Sequence, residues 1–144
     1  MTDAKSNYLE NGLIGLIFNA TSIANLAQDS SGGGAANLIL ALHTADPGET
    51  GVQNANEATY TSYDRVAVER TSTGFTVSGG TANLTAITAF PQATGGSETL
   101  THCSISLSTN STADILYYGA LSTSIAVSNG VTPRLTTSFT ISET

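Results

Sequence analysis

The side chains that could carry out catalysis or bind a metal are few in this sequence of 144 residues. The histidines are His43 and His102, and Cys103 is the single cysteine. A structural zinc site requires about four nitrogen or sulfur ligands at compact spacing, and adjacent His102 and Cys103 point to opposite faces of a strand. A nucleophilic cysteine requires a low pKa and a nearby base, whereas the apolar alternation around Cys103 predicts a buried, inert thiol. We therefore interpret all three as core or strand-end residues, and predict no catalytic residue.

Three carboxylates, from Asp46, Glu49 and Asp64, could converge on calcium, which takes about six to eight oxygen ligands. We favour the simpler interpretation, in which Asp46 caps a turn and Glu49 is solvated. No carboxylate pair has a spacing that reveals general acid–base chemistry. The glycines at 32–34 lack the Lys-Ser/Thr that follows in a phosphate-binding loop. The sequence thus predicts no metal site, no cofactor and no enzymatic activity.

The element that organises the chain is predicted at residues 38–42, Leu-Ile-Leu-Ala-Leu. A short continuous apolar run bounded by turn residues is typical of a strand buried on both faces. The run ends at Asp46-Pro47-Gly48-Glu49, where proline presets φ and glycine permits a positive φ. The remaining elements are expected to pack around this strand.

One helix is predicted at residues 6–18, with Ser6 as its N-cap. Its apolar face comprises Leu9, Leu13, Leu16 and Ile17. Gly12 and Gly15 each weaken the helix by about 1 kcal/mol relative to alanine, so we expect its stability to come from docking this face on the sheet. Residues 21–28 extend the helix or form a second turn, which gives a helical segment over 6–28. The sequence DSSGGGAAN at 29–37 predicts a flexible connector.

About eight short strands separated by turn residues are predicted in the rest of the chain. They are residues 38–42, 65–70, 75–78, 83–90, 99–108, 115–121, 124–127 and 135–141. Asn129-Gly130 predicts a β-hairpin turn. This pattern is typical of a β-sandwich or jelly roll. We predict a mainly β protein with one N-terminal helix, a single domain over residues 1–144 whose sandwich spans 38–144.

The composition restricts the possible partners. The chain has four Lys and Arg residues against eleven Asp and Glu, for a formal net charge of −7. Four scattered cations cannot release the counterions that drive binding to a phosphate backbone, so no nucleic acid and no anionic membrane surface is expected as a partner. No apolar run reaches the length of a membrane span, and the amino terminus lacks the basic region of a signal peptide. The single cysteine is consistent with folding in a reducing cytoplasm.

Several sequence blocks occur in a characteristic order. They are LALHTADPGE at 40–49, Phe90, ATGG at 93–96, Thr101-His102, LYYGAL at 116–121 and Asn129-Gly130. Together, over residues 38–141, they resemble a family of small structural proteins of tailed-bacteriophage virions, often labelled tail fibre proteins and similar to capsid cement or decoration proteins. Residues 103–108 are smaller and more polar than the aromatic-rich version of the family.

The resemblance implies a non-catalytic virion protein assembled in the bacterial cytoplasm. We favour a capsid decoration protein that binds the major capsid protein between capsomers and self-associates as a dimer or trimer. The alternative is a tail-fibre or tail-associated protein that binds tail proteins, with receptor or glycan binding through exposed tyrosines. Contacts are expected on the N-terminal segment, the 29–37 connector and the 46–63 loop. The specific contact residues are predicted to be Asp46, Glu49, Asn54, Asn56, Tyr60 and Tyr63.

Overall fold

The computed structural model describes residues 2–26 and 35–142. This part of the chain is mainly β, with one helix near its start. The elements in chain order are β1 (Thr2–Lys5), α1 (Asn7–Asn19), β2 (Asn37–His43), β3 (Val66–Glu69), β4 (Phe75–Ser78), β5 (Thr81–Leu84), β6 (Thr88–Ala89), β7 (Glu98–Ser106), β8 (Ile115–Val127), β9 (Arg134–Leu135) and β10 (Thr140–Ser142). The predicted fold class is confirmed.

The strands form three antiparallel sheets. The largest has five strands in the order β1-β8-β7-β2-β3, the second has the order β10-β5-β4, and β6 pairs with β9. Strand β1 was not predicted from the sequence. It pairs with β8 in the register Thr2↔Ala120 to Lys5↔Tyr117. The long strand β8 therefore provides the hydrogen-bond partners that the four-residue strand β1 requires. The jelly-roll connectivity stays a prediction.

Strand β2 is buried on both faces, as the apolar run predicted. Its last five residues are all buried, and alternation places Leu40 and Leu42 on one face and Ile39 and Ala41 on the other. Leu40 and Leu42 belong to the hydrophobic core together with Phe75, Leu84, Phe90, Leu100, Cys103, Ile105, Leu135, Phe139 and Ile141. The core therefore lies between the five-stranded sheet and the smaller sheets.

Four predicted strands are joined or divided in the structure. Residues 115–121 and 124–127 form one continuous strand, β8, which pairs with β7 on both sides of the polar stretch, and the register shifts there from His102↔Ala120 to Leu100↔Ile125. Residues 83–90 divide between β5 and β6, and 135–141 divide between β9 and β10. Because β5 pairs with β10 and β6 pairs with β9, each pair belongs to a separate sheet, which local sequence does not reveal.

Asn129-Gly130 forms a turn but not the predicted hairpin. Val131 N donates to Ser128 O at 3.0 Å, and Gly130 has a φ of +89°. The strand that follows, β9, pairs with β6 instead of returning along β8. The hairpin prediction is therefore wrong, because turn residues determine the local bend and not the sheet that the next strand joins.

Helix α1 begins as predicted, with Ser6 as its N-cap. The Ser6 side chain accepts a hydrogen bond from Leu9 N at 3.4 Å and donates one to Ile115 O, and Ser6 N donates to Leu116 O at 3.1 Å. Ser6 is 1% exposed, so the start of the helix is fixed to β8. The helix ends at Asn19, and its C-cap Ala20 has a left-handed φ of +52°.

The predicted docking of the apolar helix face is wrong for its C-terminal half. Leu9 is buried and Leu13 is half-buried, but Leu16 and Ile17 are 37% and 71% exposed. Only the N-terminal half of the helix lies against the sheet, because the hydrogen bonds between Ser6 and β8 hold the helix at its N-cap. The chain beyond the helix turns back so that buried Ile23 packs on Gly12, where a β-carbon would approach Ile23 Cγ1 to 3.1 Å.

Of the predicted 21–28 segment, a turn is present at Ala24, Asn25 and Leu26, where Leu26 N donates to Ile23 O at 3.2 Å, and residues 27 and 28 lie outside the described residues. Of the predicted 29–37 connector, residues 29–34 lie outside the described residues, Ala35 N donates to Asn25 O at 2.9 Å, and Asn37 begins β2. Within residues 2–26 and 35–142, no helix is long and apolar enough to span a membrane.

Candidate interaction surfaces

The 46–63 segment, in which contact residues were predicted, is held to the sheet at several points. Ala58 N donates to Leu42 O at 2.9 Å, Gln53 N donates to Ala113 O at 3.0 Å, and Thr61 N donates to Gly95 O at 3.0 Å. The Glu98 carboxylate accepts hydrogen bonds from the backbone N–H groups of Thr59 and Tyr60. Backbone groups of the 46–63 segment are thus hydrogen-bonded to residues outside the segment, so its exposed side chains are held in defined positions.

An ion pair fixes the middle of the segment. Arg65 Nε and Nη2 donate to the two carboxylate oxygens of Glu57 at 2.6 and 2.8 Å, and Arg65 also donates to the carbonyl oxygens of Asn110 and Ser111. Hydrogen bonding to the Glu57 carboxylate raises the pKa of Arg65. The side chains are 8% and 16% exposed for Arg65 and Glu57, respectively, so this pair is structural and not a free charge on the surface.

Tyr60 is a core residue, which corrects its prediction as a contact residue. It is 3% exposed, its hydroxyl donates to Pro91 O at 2.9 Å, and its ring packs edge-on against Tyr63 with centroids 5.3 Å apart. Burial raises the pKa of Tyr60 to about 12. A tyrosine with aromatic and apolar neighbours is stabilised more by packing against them than by exposure to solvent. These neighbours are distant or unmarked in the sequence, so sequence reasoning did not predict the burial of Tyr60.

Tyr63 is half-buried and its hydroxyl is already used. It donates to Glu57 at 3.0 Å and accepts from Leu42 N at 3.1 Å, and its ring stacks on Phe90. Burial, as the main cause, raises the pKa of Tyr63 well above its usual range. With Tyr60 in the core and Tyr63 joined to the ion pair, the two rings form no open stacking platform of the kind that a glycan would bind.

The other four predicted contact residues are exposed. Asp46 accepts a hydrogen bond from Gly48 N at 2.8 Å, as the turn prediction required, and Asn56 Nδ2 donates to Asp46 O at 2.8 Å. Burial is the main cause that raises the pKa of Tyr118, and the carboxylates of Asp46 and Glu49 raise it further. We refer to these four exposed residues, Asp46, Glu49, Asn54 and Asn56, as the polar face.

His43 and Cys103 lie in the interior, whereas His102 is half-buried. His43 is fully buried, and its Nδ1–H donates to Ala55 O at 2.9 Å because a carbonyl oxygen can only accept. Its Nε2 therefore accepts from the Ser104 hydroxyl at 2.7 Å, and burial lowers the pKa of His43. Ser104 is also fully buried, so this serine–histidine pair has no access for a substrate. Burial raises the pKa of the Cys103 thiol to about 12.

Metal-binding groups of three or more His, Cys, Asp or Glu side chains do not occur in the described parts of the chain. Of the three carboxylates considered for calcium, Asp46 and Asp64 accept hydrogen bonds from nearby backbone N–H groups, those of Gly48 and Arg65. The bond from Gly48 N to Asp46 is the turn cap that the simpler interpretation described.

An exposed apolar surface on the helix is the main feature that sequence reasoning missed. Ile14, Ile17 and Phe18 are 57%, 71% and 78% exposed, and we call them the helix patch. Their spacing of three and four residues places them on one side of α1. The sequence contains a signal for this patch, because the helix has more apolar residues than one buried face can hold. Only the helix orientation shows which of them remain uncovered.

An apolar cleft of about 590 Å³ lies between the five-stranded and three-stranded sheets. The first sheet provides Leu38, Ile105 and Tyr117, and the second provides Phe75, Val77 and Ile141. Arg70 is the charged residue among the described lining residues, and it also donates hydrogen bonds to the carbonyl oxygens of Asn25 and Leu26. We call this feature the apolar cleft. Its lining comes from strands far apart in sequence, which is why no local pattern predicted it.

Comparison with known proteins identifies a matching family. A family model described as "Podophage GP4 fiber I protein gp80" matches residues 4–141. A search of curated proteins found no match.

Proposed function

Since the chain belongs to the podophage GP4 fiber I protein gp80 family, a family of tailed-phage virion structural proteins, we propose that it is a structural subunit of a phage tail fibre. The observation that carries this proposal is the family match over residues 4–141, which includes the helix as well as every sheet. The word "fiber" in the family description favours the tail-fibre alternative of the sequence analysis over capsid decoration.

The proposed role is mechanical and non-enzymatic. The serine–histidine pair of His43 and Ser104 is buried, as is the Cys103 thiol, and the hydrogen bonds of His43 join it to Ala55 and Ser104. The surface instead presents a rigid polar face and an apolar helix patch. Such surfaces suit repeated contacts between subunits, where many individually weak contacts add through multivalency.

We propose that the polar face contacts a neighbouring tail protein. Its side chains are exposed, and the segment that carries them is fixed by the Glu57–Arg65 ion pair and by bonds to Glu98. Preorganisation of this kind lowers the entropy cost of docking. The acidic residues Asp46 and Glu49 favour a partner surface that carries hydrogen-bond donors or positive charge.

Antibody labelling of virions tests the proposed function. Gold-labelled antibodies to this chain are expected at the tail, with few copies per particle by quantitative mass spectrometry. Labelling spread over the head with hundreds of copies would overturn the tail-fibre proposal and establish the decoration role that the sequence analysis favoured. Virions carrying Asp46→Asn and Glu49→Gln provide the contact test: reduced incorporation of this chain is expected, with Glu69→Gln, an exposed carboxylate on β3, as the matched control.

A further inference from the structure

Two uncovered apolar surfaces of opposite shape occur on the same chain. The helix patch projects from α1, and the apolar cleft is a concave site between two sheets. A cavity of about 590 Å³ falls within the range of roughly 300–1,000 Å³ that is usual for binding pockets. From this pairing we propose that the helix patch of one copy inserts into the apolar cleft of a second copy. The inference rests on the proposed function, since a fibre subunit must join other subunits.

The absence of acidic groups suits the helix patch and the apolar cleft to a contact between two copies. The chain has a net charge of −7, so two copies repel unless they meet through surfaces without acidic groups. Residues 11–26 contain no charged side chain, and Glu10 is the one charged residue of α1. The apolar cleft likewise has no acidic residue among its described lining residues. Contact between these two surfaces therefore brings no pair of carboxylates together.

The end of the helix adds a complementary charge. A helix C-terminus carries a partial negative charge, and the last turn of α1 contains no basic residue to balance it. Phe18 lies in that last turn, and Arg70 provides positive charge beside the cleft. Two helix patches packed on each other would supply no cation to either helix end. The cleft has a cation in its lining, Arg70, which also donates hydrogen bonds to the carbonyl oxygens of Asn25 and Leu26.

The contact joins unlike surfaces, so its geometry differs from that of a helix pair. A contact between unlike surfaces generates a closed ring, or an open filament when the rotation does not close, while a reciprocal exchange of both helices gives a two-fold dimer. In each case a variant of the helix patch and a variant of the cleft damage opposite halves of the same contact. This property permits a direct test.

The experiment measures self-association of the full chain by sedimentation velocity over a micromolar to millimolar concentration series. The variants are Phe18→Asp in the helix patch and Val77→Asp at the cleft. Ile87→Asp is the matched control, because Ile87 is 59% exposed and lies in neither surface. Since Phe18 and Val77 are 78% and 75% exposed, each chain is expected to fold, as circular dichroism checks. Phe18→Asp and Val77→Asp are each expected to weaken association roughly tenfold or more, and Ile87→Asp to leave it unchanged.

Mixing the two variants distinguishes the proposed contact from other modes. The Phe18→Asp chain retains an intact cleft and the Val77→Asp chain retains an intact helix patch, so their mixture is expected to form a heterodimer by native mass spectrometry. Loss of association in Phe18→Asp alone, with Val77→Asp behaving as wild type, would show pairing of helices and overturn the proposal. A mixture that stays monomeric, or a wild-type chain that is monomeric throughout, would also overturn it.

The result is separable from the proposed function. Gold labelling at the tail together with a monomeric chain would remove the helix–cleft contact and leave the tail-fibre role in place. Labelling over the head together with the expected variant pattern would remove the tail-fibre role and retain the contact.

Discussion

Substitution of Glu57 by glutamine tests whether the ion pair holds the 46–63 segment in place. The change keeps the size of the side chain but removes the charge that faces Arg65, whose side chain is 8% exposed. Removing one partner of a fully buried ion pair costs about 3–5 kcal/mol, because the other charge remains buried. Here the glutamine oxygen and the carbonyl oxygens of Asn110 and Ser111 still accept hydrogen bonds from Arg65. We therefore expect a smaller loss in the free energy of unfolding, about 2–3 kcal/mol.

The assay is urea unfolding at neutral pH, with the slope of the free energy against urea concentration checked for constancy. The same loss is expected to lower Tm by roughly 5–10 °C for a chain of this length. Glu69→Gln is the matched control, since it removes an exposed carboxylate on β3 and is expected to change stability by less than about 0.5 kcal/mol. A double-mutant cycle with Arg65→Gln gives the coupling energy between the two side chains. If Glu57→Gln were as mild as the control, or the coupling energy were zero, the ion pair would not be what fixes the segment.

The remaining predictions concern the interior. Burial lowers the pKa of His43 below its unfolded value of 6.5, so the unfolded chain binds more protons in mildly acidic solution. The His43 contribution to the free energy of unfolding is therefore full above about pH 6.5 and falls below that pH, by at most about 1.4 kcal/mol per pH unit. Urea unfolding of wild type and His43→Gln at a series of pH values compares how steeply the free energy of unfolding depends on pH in the two chains. Cys103, with its pKa raised to about 12, is expected to react with a thiol-specific reagent only after unfolding; rapid modification of the native chain would contradict the core assignment. Gly96 has a φ of +84°, and a β-carbon there would approach Tyr60 Cα to 3.2 Å, so Gly96→Ala is expected to lower Tm. Gly130 has a similar φ of +89° and open space around it, so Gly130→Ala measures the loss from backbone strain alone. Equal losses of Tm in the two variants would show that the contact with Tyr60 is unimportant.

Much of the architecture follows from short-range sequence pattern. The buried strand β2, the turn at Asp46, the N-cap at Ser6 and the location of α1 were all predicted, because apolar periodicity and turn residues act over a few neighbours. Strand β1 escaped prediction, since four residues carry no periodicity and depend on β8 for pairing. The divided strands at 83–90 and 135–141 escaped for the same reason: the choice of sheet is made by distant partners.

The candidate contact residues divide in the same way. Exposure of Asp46, Glu49, Asn54 and Asn56 follows from polar residues at a turn and loop, which favour solvent wherever the loop lies. A tyrosine has an apolar ring and a polar hydroxyl, so its location depends on what surrounds it. Tyr60 meets Tyr63 and Pro91 and is therefore buried, and neither contact has a local signature in the sequence.

By itself the sequence determined the β class, the acidic charge and the family likeness, since each resides in residue types and their local order. Only the tertiary structure decided which apolar side chains are covered. Anchoring of α1 at Ser6 leaves Ile17 and Phe18 in solvent, while strands far apart in the chain bring Leu38, Val77 and Tyr117 around the apolar cleft. Burial is a property of the three-dimensional neighbourhood, because the hydrophobic effect depends on the surface removed from water and not on the order of residues along the chain.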